Sequence, residues 1–228
     1  MGNLCIIPAR GGSKRIPRKN IRDFCGKPII SYSIEAARES GLFDEVMVST
    51  DDEEIANVAK AFNAVVPFFR SNKNSDDFAS TSSVILEVLS EYRKLSKVFE
   101  YACCIYPTAP FVQSDALIKG FDKLIGEKFT SVFPVVQFSY PIWRALKISN
   151  SHAEMIWPSK LNSRSQDLEK TYHDAGQWYW IDVHKFQDET ALFSSSSGCV
   201  VLPETDVQDI DTEIDWKLAE MKFQLSKS

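Results

Sequence analysis

The sequence predicts an α/β protein with a doubly wound, mostly parallel sheet, and two observations favour this class. Short apolar runs alternate with amphipathic stretches through the first two-thirds of the chain, as in successive βαβ units. The 228 residues are 44% hydrophobic and 25% charged, which is ordinary for a globular protein and sufficient for one α/β domain. We therefore expect a single domain over residues 1–228 that carries a small insertion.

Seven apolar segments predict the strands of this sheet. The first is a compact run typical of a buried strand, and the third contains Pro67, which predicts a place toward an edge. The segments are residues 4–7, 46–50, 64–69, 101–106, 131–137, 177–183 and 198–202.

Amphipathic segments between and after the strands predict five helices. Ser114 is expected to cap one of them, and Thr212 and Asp215 have the spacing of a capping box. The helices are predicted at residues 28–39, 52–62, 82–95, 114–125 and 212–225. Residues 138–172 show neither the apolar runs of the predicted strands nor a helical pattern, and they predict an inserted hairpin arm. Residues 194–198 predict a loop.

A basic loop with two adjacent glycines follows the first predicted strand. Six Lys or Arg residues and no carboxylate lie between positions 10 and 22, although the net charge of the chain is −5. Glycines allow close approach of the backbone to a ligand, and Lys and Arg neutralise phosphate oxygens. The loop lies where open α/β sheets bind ligands, so it predicts a polyphosphate site. It matches neither a Walker A loop nor G-x-G-x-x-G, and a solvated surface loop is the alternative.

Two carboxylates near the end of the chain, Asp209 and Asp211, point to one face if this segment is extended. Carboxylates held side by side repel unless a cation lies between them, and Mg²⁺ commonly bridges such ligands and phosphates. The alternative is that they are acids at a helix N-terminus, favoured by the helix dipole. The three histidines have no zinc-site spacing.

Composition also sets the expected compartment and disfavours some partners. The acidic balance argues against general nucleic-acid binding. The chain shows no signal-peptide pattern and no membrane segment, and its five cysteines include no C-x-x-C pair, which favours a reducing compartment. We therefore expect a cytoplasmic protein.

Motifs along nearly the whole chain resemble those of the CMP-sialic acid synthetase family. They are, in order, "IIPARGGSKRIPRKNI", "VSTDDEEIA", "FASTSS", "YPTAP" and "DIDTEIDWKLAE". The resemblance implies a Rossmann-like nucleotidyltransferase fold and a reaction that joins CTP to a 2-keto sugar acid with loss of pyrophosphate. It also implies Mg²⁺ and a homodimer in which residues 138–172, with Tyr140, Trp143 and Trp157, form the dimerisation arm.

The resemblance further implies the roles of individual residues. Arg10, Lys19 and Asp211 would be catalytic, and Asp209 and Asp211 would bind the metal. Nucleotide binding would fall to Ala9, Arg10, Gly11, Gly12, Ser13, Lys14, Lys19, Asn20, Arg70, Ser80 and Thr81. The sugar would contact Arg164, Gln166, Tyr172 and His173, with Arg164 on its carboxylate.

Within the family, "RSQDLEKTYHDAGQWYW" resembles the pseudaminic acid cytidylyltransferases. Ala175-Gly176 stands where the sialic acid enzymes usually have Asn-Gly, and His173 where they commonly have Arg. These departures favour pseudaminic acid over N-acetylneuraminic acid. Alternatives are an enzyme for N-acetylneuraminic, legionaminic or more distantly ketodeoxyoctonic acid, and a catalytically silent nucleotide-binding subunit.

Overall fold

A computed structural model describes residues 2–76 and 78–226 and contains eleven strands in these ranges. The strands are β1 (Gly2–Pro8), β2 (Asp23–Phe24), β3 (Lys27–Pro28), β4 (Glu45–Ser49), β5 (Phe99–Ile105), β6 (Ser131–Gln137), β7 (Leu146–Ser149), β8 (His152–Met155), β9 (Tyr172–Asp174), β10 (Trp178–Asp182) and β11 (Ser197–Leu202). The α-helices in the same ranges are α1 (Ile29–Glu39), α2 (Glu53–Ala61), α3 (Thr81–Lys94), α4 (Ser114–Gly126), α5 (Val183–Glu189) and α6 (Glu213–Leu225).

Seven strands form the central sheet, in the order β11–β6–β10–β5–β1–β4, with β9 paired to β6. β1 is parallel to β4 and β5, and β11 is parallel to β6. β10 runs antiparallel between β5 and β6, and β9 is antiparallel to β6. The predicted α/β class with a mostly parallel sheet is therefore confirmed.

Helices cover both faces of the sheet, because successive side chains along a strand point to opposite sides. Cys5 and Ile7 of β1 face α1, α2 and α4, together with Trp178 and Trp180 of β10. Leu4 and Ile6 of the same strand face α3 and α5, together with Tyr179 and Ile181. The sheet is doubly wound, as predicted.

The strand predicted at residues 64–69 is wrong. Val65 forms only an isolated bridge to Met47, with its N–H donating to the carbonyl of Val46 and its carbonyl accepting from Val48. Pro67 has no N–H to continue the ladder, so pairing stops after one residue. The predicted cap at Ser114 is also wrong, because the Gln113 carbonyl accepts from the first turn of α4 and Ser114 is already helical.

The irregular segment at 138–172 contains the hairpin β7–β8, which lies between β6 and β9 in the chain. Every residue of β7 is exposed. Tyr140 is 88% exposed, whereas Trp143 and Trp157 pack edge to face with ring centroids 5.4 Å apart. The hairpin is present as predicted, and its role in dimerisation stays a prediction.

A separate apolar cluster joins the basic loop to the C-terminal helix. Ile16 of the loop and Ile210 are fully buried against Trp216 of α6. The predicted capping box starts this helix: the Thr212 hydroxyl accepts from the Asp215 N–H, and the Asp215 carboxylate accepts from the Thr212 N–H. This packing holds the basic loop beside the start of α6. Within residues 2–76 and 78–226, no helix combines the length and apolar character that a membrane span requires.

Candidate active site

A cleft of about 700 Å³ lies at the carboxyl ends of β1 and β5. Pro8, the last residue of β1, and Tyr106, which follows β5, form part of its wall. The predicted nucleotide-binding residues that line it are Arg10, Ser13, Lys14, Lys19, Asn20, Arg70 and Thr81. The fold therefore brings cations from two distant segments to one concave site, as an anionic ligand requires.

Four predicted nucleotide-binding residues lie outside this lining. Ala9 is fully buried, and the Ser80 hydroxyl caps α3 by accepting from the Ser83 N–H. A Cβ at Gly11 would lie 2.7 Å from Oδ2 of Asp52, whereas a Cβ at Gly12 would meet no atom within 4 Å. Close packing therefore explains Gly11, and Gly12 leaves open space beside the loop.

An ion pair holds the basic loop in place. Arg18 has a left-handed backbone conformation (φ 54°) and donates from Nη1 and Nη2 to the two oxygens of Asp52, at 2.6 and 3.0 Å. Asp52 also caps α2 by accepting from the Ile55 N–H. Hydrogen bonding to Arg18 lowers the pKa of Asp52 to about 2. Arg18 is thus used to position the loop.

Replacing Asp52 by Asn is expected to destabilise the fold by about 1–2 kcal/mol at pH 7, because Asn keeps the cap but not the charge. The folded-state pKa of Asp52 lies below the unfolded value, so this stabilisation is complete above about pH 4 and disappears as pH falls toward 2. Urea unfolding from pH 7 to pH 3 measures it. Asp122→Asn, on the exposed face of α4, is the control, and a pH-independent deficit would contradict the assignment.

Lys19 and Arg70 are enclosed cations of the cleft. Lys19, with 20% of its side chain exposed, donates to the Ile210 carbonyl at 2.7 Å. Arg70 is 8% exposed and donates to the hydroxyl and carbonyl oxygens of Ser49. Burial lowers the pKa of both groups. A charge that burial disfavours is stabilised by a bound anion, so both residues favour a phosphate ligand.

Asp209 and Asp211 lie beside Lys19. Oδ1 of Asp211 is 2.8 Å from Arg15 Nη2 and 3.7 Å from Lys19 Nζ. Partial burial raises the pKa of Asp209, and the charge of Asp211 adds to the effect. Among the residues that the structure describes, no three His, Cys, Asp or Glu side chains group as metal ligands. A cation here would therefore take two carboxylates and complete its coordination with other oxygens.

The predicted sugar-binding residues do not line the cleft. Arg164 belongs to the arm, has 73% of its side chain exposed, and donates to Asp167 at 2.7 Å. Gln166 borders a small crevice with Phe138. Tyr172 and His173 lie on β9, which pairs with β6. None of these four side chains belongs to the lining that the basic loop contributes to.

A family model described as "Cytidylyltransferase" matches residues 4–185. The chain belongs to the cytidylyltransferase family. It is 44% identical to the pseudaminic acid cytidylyltransferase of Campylobacter jejuni, over 99% of this chain and 98% of that protein. It is 30% identical to the CMP-N,N'-diacetyllegionaminic acid synthase of Legionella pneumophila, over 98% and 97% of the two chains. These matches confirm the resemblance seen in the motifs.

The fold of this cytidylyltransferase also occurs among solved structures. A CMP:2-keto-3-deoxy-manno-octonic acid synthetase solved with CTP superimposes with a TM-score of 0.72. The alignment covers 100% of this chain and 99% of that one, at 16% sequence identity. At this identity the match shows a shared fold.

Several residues that line the cleft of this cytidylyltransferase were missed by sequence reasoning. Arg15 counts among the cations of the basic loop in the sequence but is assigned no ligand there, and the sequence places Tyr106 only at the end of a predicted strand. The Tyr106 hydroxyl lies 2.9 Å from that of Thr81. The position of Tyr106 in the sequence could have placed it in the cleft, because it directly follows β5 and ligands bind at the carboxyl ends of the strands in open α/β sheets.

Proposed function

We propose that this cytidylyltransferase transfers CMP from CTP to pseudaminic acid and releases pyrophosphate. The observation that carries the reaction is the cleft that combines Arg10, Lys14, Lys19 and Arg70 with a nearby pair of carboxylates. The choice of sugar rests on the 44% identity to a pseudaminic acid cytidylyltransferase.

In this reaction the anomeric hydroxyl oxygen of the sugar attacks the α-phosphorus of CTP. A new P–O bond forms, the bond from the α-phosphorus to the bridging oxygen breaks, and that oxygen leaves with pyrophosphate. The hydroxyl proton is lost to solvent. Lys14 and Lys19 neutralise the charge that builds up on the phosphates, which is the main demand of phosphoryl chemistry. Asn20 donates to the carbonyl of Arg10 at 2.9 Å and so holds the loop that carries these cations.

Asp209 and Asp211 fit a divalent cation by their donor chemistry, since two neighbouring carboxylates are hard oxygen ligands whose repulsion a cation relieves. We assign them to Mg²⁺. When bound, the ion would neutralise phosphate charge and help to orient the triphosphate. Without it, Asp211 faces Arg15 and Lys19.

We further propose that residues 1–228 form one domain and that the arm at 138–172 forms a homodimer. Exposed apolar side chains support this role: Tyr140 is 88%, Ile148 78% and Leu161 62% exposed. Large apolar side chains exposed on one segment are typical of a surface that contacts another protein. An arm that crosses to the neighbouring subunit would bring Arg164 to a cleft that it does not line in its own chain. None of the five cysteines, all of which the structure describes, forms a disulfide, which is consistent with a cytoplasmic enzyme.

Replacing Arg164 by Ala is expected to raise the KM for the sugar acid about tenfold or more and to leave the KM for CTP within about twofold. The reason is the loss of a charged hydrogen bond to the sugar carboxylate. Lys147→Ala, on the same arm and paired with Glu154, is the control. Equal changes in the two KM values would remove Arg164 from the sugar site, and sedimentation of both variants as dimers would show that assembly is intact.

A comparison of three sugar acids, each assayed separately, tests the proposed substrate. Pseudaminic, N,N'-diacetyllegionaminic and N-acetylneuraminic acids are each incubated with CTP and Mg²⁺, and the CMP-sugar is identified by its mass. We expect the highest kcat/KM with pseudaminic acid. A higher kcat/KM with N,N'-diacetyllegionaminic acid would favour the alternative that the enzyme activates legionaminic acid. The 30% identity to the Legionella pneumophila synthase supports that alternative. CTP binding without any product would indicate a silent subunit, which the joint presence of Lys19 and Asp211 disfavours.

A further inference from the structure

A stripe of large apolar side chains runs along the outer face of α6. Its four members are Ile214 (71% exposed), Leu218 (46%), Met221 (61%) and Leu225 (73%). Successive residues of a helix turn by about 100°, so these four positions lie within about 60° of one another around the helix axis. In the part of the chain that the structure describes, Ile125 of α4 is the other large apolar side chain exposed within an α-helix. The stripe therefore distinguishes α6 from the other helices.

The core of the protein does not use this stripe. The opposite face of α6 makes the inward contacts, where Trp216, Ala219 and Phe223 are buried in the cluster that includes Ile16 of the basic loop. One apolar face is enough to attach a surface helix to a core. A second apolar face on the far side of the helix points to a contact with another chain.

We propose that the outer stripe of α6 pairs antiparallel with the same stripe on a second copy of this chain. Its members are separated by four, three and four residues, which is the spacing by which two helices pack side by side. Ile214 meets the partner's Leu225, and Leu218 meets the partner's Met221. A contact that uses the same patch on both copies closes around a two-fold axis. The pairing involves no substrate and so goes beyond the proposed function.

Charged residues beside the stripe favour a second copy of α6 in the antiparallel direction. Antiparallel packing places Asp215 beside the partner's Lys222, and the two-fold axis repeats this ion pair. Parallel packing would instead place Lys217 beside the partner's Lys222, and these like charges repel. Both members of the ion pair can take a further partner. The capping bonds of Asp215 use its Oδ2, and the Lys222 ammonium, which has three N–H groups, donates to two carbonyl oxygens.

The length of α6 limits the strength of this contact. The helix has 13 residues and is therefore about 20 Å long. A stable interface buries about 1,200 Å² or more, which a single pair of short helices does not reach. We therefore expect the pair to form only as the protein concentration rises. The stripe and the arm at 138–172 are different segments, so the α6 pair joins two of the proposed arm dimers.

Sedimentation over a range of protein concentrations tests the α6 pair. We expect the mass of the wild type to about double between dilute and concentrated solution. Leu218→Glu places a carboxylate from each copy near the two-fold axis and should raise the midpoint concentration of this transition about tenfold or more. Ile125→Glu is the matched control, because Ile125 is 45% exposed on α4 and Leu218 is 46% exposed on α6. The control should associate like the wild type, and equal Tm values would show that both variants are folded.

The concentration dependence separates this inference from the proposals above. The species in dilute solution reports the proposed arm dimer, and its increase in mass reports the α6 pair. A wild-type mass that stays constant would overturn the pair, as would a Leu218→Glu variant that associates like the wild type. A smaller species of Leu218→Glu in dilute solution would also overturn it, because the stripe would then belong to the interface of the arm. These measurements use no substrate, so failure of the proposed reaction would not change them.

Thiol cross-linking in concentrated solution tests the antiparallel direction. Cys25 and Cys199 are first replaced by Ser, since the other three cysteines are buried. A chain with both Ile214→Cys and Leu225→Cys should then give a covalent dimer with a short bismaleimide, because the two positions meet across the pair. Either substitution alone should give little, because its two copies lie eleven residues, or about 16 Å, apart along the helix axis. Cross-linking of Ile214→Cys alone would indicate parallel packing, and cross-linking of none of the three chains would indicate no pair, so either result would overturn the proposal.

Discussion

Replacing Lys19 by Ala is expected to lower kcat/KM about 10³-fold. Lys19 is an enclosed cation of the cleft, and its Nζ lies 3.7 Å from Asp211, so it links the basic loop to the carboxylate pair. A donor preorganised toward developing negative charge typically contributes about 10²–10³-fold to the rate. Initial rates of pyrophosphate release over a range of CTP concentrations measure the loss.

The fold is expected to survive this substitution. Lys19→Ala removes the hydrogen bond to the Ile210 carbonyl, which costs about 1 kcal/mol of stability. Lys123→Ala, which removes the pair with Glu127 on α4, is the control and should retain full activity. A Lys19→Ala enzyme within about tenfold of the wild type would show that this side chain does not stabilise the transition state.

Replacing Asp211 by Asn is expected to lower kcat about 10²–10³-fold at fixed Mg²⁺ and to raise the Mg²⁺ concentration needed for half-maximal activity. Asn preserves the shape but contributes no negative charge to a cation shared with Asp209. Rates measured across a Mg²⁺ titration separate weaker metal binding from loss of the chemical step.

A neighbouring acid provides the control for this substitution. Asp206 lies on the same segment and accepts from the Thr205 hydroxyl at 2.8 Å. Asp206→Asn should keep both the rate and the Mg²⁺ requirement of the wild type. If Asp211→Asn did the same, the carboxylate pair would not be a metal site, and Asp211 would only balance the charges of Arg15 and Lys19.

Local patterns predict the parts of this fold that depend on neighbouring residues. The strand predicted at 131–137 coincides with β6, and the Thr212–Asp215 capping box starts α6. The basic loop could be placed at the ligand edge because it directly follows a buried strand. In each case the decisive interactions lie within a few positions along the chain.

Interactions between distant segments could not be predicted in this way. The pair between Arg18 and Asp52 spans 34 positions, and the bond from Lys19 to the Ile210 carbonyl spans 191. No periodicity encodes such contacts, which arise when the sheet brings loops together. The proposed place of Arg164 at a sugar site would depend further on a second subunit, which one sequence does not specify.

The proposed transfer of CMP is tested most directly with CTP that carries one label on the α-phosphate and another on the γ-phosphate. The labelled CTP is incubated with pseudaminic acid and Mg²⁺, and both labels are located in the products. Transfer of CMP predicts the α label in the sugar product and the γ label in free pyrophosphate. It also predicts that neither label moves when the sugar acid is left out. Appearance of the γ label in the sugar, or release of inorganic phosphate without a CMP-sugar, would contradict the assigned reaction.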